Sequence, residues 1–311
     1  MGDGVYTFAM AIASPTVIEV GPRDGLQNES THLSTAAKVA FIAATVDAGV
    51  TRIEAVGFGH PRLVPALADA EAVMAAVPRS DGVSYIGLVL NERGLSRALD
   101  AGVDEVNVVL VASETFFQRN QNMSIEEGLR SFETIAAGAR AAGLQVSATI
   151  GASFGCPFEG EVPTERVAAI ARRASESGAH EIALADTIGV GVPADVRRLV
   201  DAVREVSELP LRAHFHNTRN TGYANAVAAV DAGVVALDAS TGGFGGCPFA
   251  PNATGNIATE DLVYLLSRSG FDTGIDRRAI EGVAETLGRQ LGKDVPALLG
   301  RAGSFPSDGD A

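Results

Sequence analysis

Five times in this chain an alanine-rich stretch ends in a small residue and a glycine, and a run of β-branched residues follows: at Ala48-Gly49, Ala101-Gly102, Ala142-Gly143, Ser177-Gly178 and Ala232-Gly233. A glycine just past a helix supplies the left-handed C-terminal cap, and the short apolar run behind it reads as a strand buried on both faces. Helix and strand in that alternation mean an α/β fold. Eight strands are expected, at 17–20, 52–56, 83–90, 105–111, 145–150, 181–185, 211–216 and 234–239, with helices beginning at Thr35, Pro65, Gly94, Ile125, Thr164, Ala194, Gly222 and Ala258. Eight such units in roughly 250 residues is the size of a (β/α)8 TIM barrel. A doubly wound open sheet would want a Gly-x-Gly-x-x-Gly turn after its first strand, and the residues there are Gly21-Pro-Arg-Asp-Gly25. The expectation is therefore a barrel over residues 1–275. A short helical extension follows at 276–311, with a helix at 277–291 and a frayed tail rich in Gly, Ser, Pro and Asp.

Composition excludes several function classes. The net charge of -14 argues against a nucleic-acid binder, whose footprint is basic. No run of about 18 apolar residues is present and the opening Met1-Gly-Asp-Gly lacks a cationic region, so neither a membrane span nor secretion is supported and the chain reads as cytoplasmic. Lys38 and Lys293 are the only lysines, so an anionic substrate has to be met by arginines. The two cysteines, Cys156 and Cys247, each sit in a Gly-Cys-Pro-Phe tetrapeptide, too few for a disulfide framework.

Chemistry-bearing residues gather at the expected strand ends, which in a barrel converge on one site. Strand 7 carries His214 and His216, two residues apart and so on one face. Strand 1 leads from Glu19 to Arg23 and Asp24, strand 2 carries Glu54, the loop after strand 4 holds Asn120, and strand 6 leads to Asp186. Strand 8 opens into a glycine-rich loop that ends at Asn256. Asp24, His214, His216 and the amide oxygen of Asn256 make a mixed O/N donor set with room for water and substrate, suited to Mg²⁺ or Mn²⁺ rather than to a closed zinc site. The glycines at 242, 243, 245 and 246 present Cys247 over the barrel mouth as a lid thiol, whereas Cys156 reads as a packing residue.

The motifs Val20-Gly-Pro-Arg-Asp-Gly-Leu-Gln-Asn-Glu29, Asp186-Thr-Ile-Gly-Val190, His214-Phe-His216, Gly245-Gly-Cys-Pro-Phe-Ala250 and Ala253-Thr-Gly-Asn256 resemble those of the 3-hydroxy-3-methylglutaryl-CoA lyase family, within the wider group of metal-dependent TIM-barrel lyases and Claisen synthases. The resemblance spans residues 17–274. It implies a barrel that binds Mg²⁺ or Mn²⁺ through Asp24, His214, His216 and Asn256 and splits a 3-hydroxy-3-alkyl diacid thioester into an acyl-CoA and a keto acid. It further implies that Arg23 stabilises the enolate, that Cys247 is the lid thiol, that Glu19, Glu54, Asn120 and Asp186 line the site, and that the protein is a homodimer whose partner molecule is a small acyl-CoA. The alternatives are a lyase for citramalyl-CoA or a longer homologue, or a Claisen synthase or aldolase on the same barrel.

The departures from the family pattern point toward such a related substrate. Asn217 and Arg219 stand where the family has an aspartate and a tyrosine, which marks them as substrate-binding candidates for a carboxylate-bearing acceptor. Ser30 and Ser147 stand where it tends to have a lysine and an arginine that could serve the thioester or the CoA phosphates.

Overall fold

The computed structural model describes residues 13–246, 255–303 and 305. Eight strands close into a barrel in chain order: β1 (Thr16–Glu19), β2 (Arg52–Gly57), β3 (Ser84–Val89), β4 (Glu105–Val111), β5 (Gln145–Gly151), β6 (Glu181–Asp186), β7 (Leu211–Phe215) and β8 (Ala236–Ala239). Every neighbouring pair is parallel, and closure comes from β8 on β1, with Thr16 opposite Ala236 and Glu19 opposite Ala239. The TIM barrel expected from the sequence is what forms. The surrounding helices are α1 (Thr35–Asp47), α2 (Ala70–Ala76), α3 (Glu92–Ala101), α4 (Glu114–Gln121), α5 (Ile125–Ala141), α6 (Thr164–Glu176), α7 (Pro193–Arg204), α8 (Gly222–Asp231), α9 (Thr259–Arg268), α10 (Arg277–Leu291) and the four-residue α11 (Leu299–Ala302).

The recurring glycine is the device that turns each helix back toward the sheet. Gly49, Gly102, Gly143, Gly178 and Gly233 all have positive φ, between 68° and 97°, a region that side chains with a Cβ rarely occupy. At Gly49 the requirement is doubled, because an added Cβ would meet the Gly274 carbonyl oxygen at 2.3 Å. Helix starts are fixed by side chains that accept from the first-turn amides: Ser34 from Ala37, Asn91 from Gly94, and Ser124 from Glu127, whose carboxylate returns to the Ser124 amide in a capping box.

Helix α4 lies within what the sequence reads as a loop, so Asn120 is on a helix instead. Ser113 caps it by accepting from Phe116 N. Only Phe116 and Phe117 are buried among its eight residues, too few to leave a helical period in the sequence. The helix expected from Pro65 is a short 3₁₀ turn over Pro65–Leu67, with α2 beginning at Ala70.

Two faces of each strand do different work. Val17, Ile53, Val106, Ile182, Ala213 and Leu237 point outward into one large core between barrel and helices. The inward face holds a small apolar plug of Ile18, Val20, Ile86 and Ala236. It also holds a polar layer containing Arg52, Glu54, Glu105, Asn107, Ser147, Glu181, Arg212 and Asp238, joined by hydrogen bonds and ion pairs. Helix α10 closes the first unit: Leu287 and Leu291 pack with Leu26, Phe41 and Phe244.

Candidate active site

A single turn of π-helix, Gly21–Gly25, follows β1 and delivers Arg23 and Asp24 side by side. Pro22 sits in its first turn, and the N–H groups of Arg23, Asp24 and Gly25 all reach back to the Val20 carbonyl. The Arg23 guanidinium bonds Glu54 of β2 through Nε and Asp24 Oδ1 through Nη1 at 2.6 Å. Burial works against its charge, but Glu54 and Asp24 more than restore it, so Arg23 is a fixed cation.

From β7, His214 and His216 project inward with ring centroids 5.1 Å apart. Asp24, His214 and His216 bring three possible ligand atoms within 4.8 Å of one another, the one cluster of this kind among the described residues. Burial alone would raise the Asp24 carboxyl; Arg23, the two imidazoles and the Asn256 amide instead hold it well below the ordinary carboxylate range. Burial, followed by the charge of His214, pushes His216 down to about 3, leaving it neutral. His214 is raised: burial opposes its charge, but the bond from Nδ1 to Asp238 Oδ2 at 3.1 Å outweighs it. Nδ1 of His216 is buried without a hydrogen-bond partner, a costly condition in a protein interior unless another group meets it. An ionised carboxylate, a neutral His216 with an orphaned ring nitrogen, and a His214 held by Asp238 through Nδ1 alone fit a divalent cation.

Asn256 is brought to the cluster by an isolated antiparallel bridge to His216. Its amide nitrogen, not its oxygen, faces the cluster, donating to Asp24 Oδ2 at 2.9 Å and to the Phe244 carbonyl at 3.2 Å. In this arrangement Asn256 holds Asp24, and the oxygen-ligand geometry expected from the sequence is not the one present.

Arg23, Asp24, His214 and His216 line a cavity of about 240 Å³ at the C-terminal end of the barrel, floored by Asn107, Thr149, Arg212 and Asp238 and reaching Asn120 on α4. Several expected site residues lie elsewhere. Glu19 shares the outward face with Val17; its oxygens accept from Gly21 N, Thr241 N, Thr241 Oγ1 and Thr259 Oγ1, and it ties β1 to the loop and helix after β8. Asp186 shares the outward face of β6 with Ile182 and Leu184, and both its oxygens accept backbone N–H groups, from Val190 and Gly191, at 2.9 Å. Thr187 lines the cavity in its place. Asn217 accepts from Gly222 N at the start of α8, and Arg219 donates to the carbonyls of Ile188 and Gly189. Both pin loops and do not line the cavity.

Ser147 is wholly buried inside the barrel, donating to Glu105 at 2.7 Å. A cation at that position would serve the interior and could not meet a CoA phosphate. Ser30 is exposed. Cys156 is a buried packing residue with its sulfur 2.9 Å from Ser113 Oγ. Cys247 lies outside the described residues.

The HMGL-like family model matches residues 14–287. This chain belongs to the HMGL-like family. It is 44% identical to an (R)-citramalyl-CoA lyase from Chloroflexus aurantiacus, over 93% of this chain and 94% of that protein. It is also 44% identical to a hydroxymethylglutaryl-CoA lyase from Pseudomonas mevalonii, over 89% and 92%. Among solved structures, the HMG-CoA lyase of Bacillus subtilis superposes with a TM-score of 0.91 at 38% identity, covering 94% of this chain and 98% of that one. An HMG-CoA lyase from Acinetobacter baumannii, solved with coenzyme A and 3-methylmalate, gives 0.91 at 38% identity over 98% and 99%. As an HMGL-like protein with these relatives, the chain is a carbon–carbon lyase of the hydroxymethylglutaryl-CoA lyase type.

Two polar residues that bond the site from within were missed in the sequence, Asp238 behind His214 and Arg212 in the floor. Asp238 is the one charged residue of β8, and Arg212 stands two residues before His214 on the same face of β7; those placements are the signal that could have found them.

Proposed function

We propose that this HMGL-like chain performs a divalent-metal-dependent retro-Claisen cleavage of a CoA thioester of a 3-hydroxy-3-alkyl diacid, of the hydroxymethylglutaryl-CoA or citramalyl-CoA kind, releasing acetyl-CoA and a keto acid. The observation that carries the reading is the cavity in which a fixed guanidinium, Arg23, stands against the Asp24, His214 and His216 cluster. Breaking the bond between C2 and C3 needs the C3 hydroxyl to lose its proton and the thioester to accept an electron pair as an enolate. Bound Mg²⁺ or Mn²⁺, held by Asp24, His214 and His216 with Asn256 behind Asp24, would acidify that hydroxyl and polarise the emerging ketone. Arg23 supplies positive charge where the enolate oxygen develops, and Glu54 fixes its direction. Glu19 and Asp186 are committed to backbone and hydroxyl donors, so neither takes the hydroxyl proton. Cys247 is the thiol assigned to return a proton to C2. The apolar wall of Leu88, Val109, Val111 and Phe116 suits the alkyl and pantetheine portions of such a substrate.

The deciding experiment incubates purified protein with Mg²⁺ or Mn²⁺ and hydroxymethylglutaryl-CoA, citramalyl-CoA and a longer 3-alkyl homologue, with mass detection of the keto acid. Release from any one, abolished by EDTA and restored by Mn²⁺, supports the reading and names the acyl group. Three intact thioesters in the presence of bound metal would refute it.

A further inference from the structure

The inward face of β7 carries a third polar residue in register with the histidines. Arg212 is only 1% exposed, yet it forms part of the cavity floor. Its Nη2 donates to Glu54 Oε2 at 3.3 Å and to Asp238 Oδ2 at 3.0 Å. Those two carboxylates are the anchors of the site above them: Glu54 holds Arg23, and Asp238 Oδ2 meets His214 Nδ1. Arg212 Nε lies 2.6 Å from Asp238 Oδ1, and Nη1 lies 3.7 Å from Glu181 Oε2, as ion pairs without hydrogen-bond alignment. One nitrogen therefore bridges the two supports of the site, hydrogen-bonded to both.

We infer that Arg212 is a positioning residue that, through Glu54 and Asp238, fixes the Arg23 guanidinium and the His214 imidazole relative to each other. The inference rests on the metal-dependent lyase reading. Two buried carboxylates facing one space repel; a planar guanidinium between them sets both their separation and their direction, whereas an ammonium supplies charge without the fork. Groups behind metal ligands and catalytic cations act in this way, by orienting what touches substrate.

The test is Arg212→Lys, which keeps the buried charge and removes the bridge. Mn²⁺ affinity is measured by the loss of the free-ion electron paramagnetic resonance signal, alongside melting temperature, kcat and KM on whichever thioester the wild-type protein cleaves. The expected result is a folded protein with Mn²⁺ affinity and kcat each lowered about 10- to 100-fold and KM nearly unchanged. Wild-type affinity and kcat in this variant would overturn the inference.

If the lysine variant does not fold, Arg212→Ser combined with Ser147→Arg moves the guanidinium to the interior face of β5, where Ser147 already bonds Glu105. The same losses in that double variant support the bridge. Full recovery shows that interior charge alone suffices, and the inference falls. A wild-type protein that binds no Mn²⁺ and cleaves no thioester removes the functional reading itself, whereas an active wild type with an unaltered lysine variant removes only the role of Arg212.

Discussion

At the level of single residues, the division of labour in the cavity is electrostatic. Arg23 keeps its charge because two carboxylates bracket it, and His216 loses its own because burial and His214 oppose it. Replacing Arg23 with Met removes a charge aimed at the developing enolate, so steady-state kinetics are expected to show kcat lower by about 10² to 10³, with much less change in KM. An equal loss spread into KM alone would mean that Arg23 binds substrate rather than its transition state. His216→Ala removes one of three clustered donors, and its expected signature is loss of Mn²⁺ binding in a calorimetric titration with the far-ultraviolet circular dichroism intact. Retained stoichiometric binding would take His216 out of the donor set.

Strands and helices explain why some of this was legible and some was not. Five of the eight strands are marked by the glycine that precedes them and the others by their short apolar runs, while the convergence of Asp24, His214 and His216 follows from the strand ends of a barrel and the two-residue period of β7. Nearness to a strand end alone suggests Glu19 and Asp186 for the site, but the face of the strand decides against both. Counting in twos from Val17 or Ile182 puts both on the helix-facing side. The same count places Arg212 in line with His214, and Asp238 in line with Ala236 of the interior plug. Asn217 and Arg219 looked like substrate groups because their chemistry was unusual for the family; what the backbone needed at the turns they pin is not visible before the fold is known.

The join between β8 and α9 adds a testable consequence. Glu260 is buried in the first turn of α9, accepting from Gly242 N at 2.9 Å, and burial pushes its carboxyl up to about 8 against the pull of that bond. Its protonated form is the one that the fold favours. The stabilisation is fully present below the ordinary value of 4.5 and is lost as the pH climbs through about 8. Thermal melts between pH 5 and pH 9 should therefore fall more steeply for the wild type than for Glu260→Gln, which stays neutral throughout. Parallel curves would place the ionised form in the fold.

For the whole molecule, the barrel is held from inside by charge as well as from outside by an apolar shell. Arg52 joins Glu105 and Glu181 at 2.8 Å each, linking β2, β4 and β6 across the interior. Arg52→Met leaves two buried carboxylates without their shared cation, and urea denaturation is expected to show a loss of about 3–5 kcal/mol. A loss under about 1 kcal/mol, typical of exposed pairs, would mean that water reaches that end of the barrel. Two backbone bonds beyond the ends of β7 and β8 fix where the segment between Gly246 and Gly255 begins and ends. Asn256 N donates to the Gly245 carbonyl at 3.1 Å, and Asn217 N donates to that of Gly255 at 2.9 Å. The two ends of an eight-residue insert thus meet beside the histidines, already stitched to each other and to the barrel. Such a closed port tolerates added length: doubling the stretch between its ends, with Cys247 kept, adds only about 0.6 kcal/mol of closure entropy, so the donor set should stay in place.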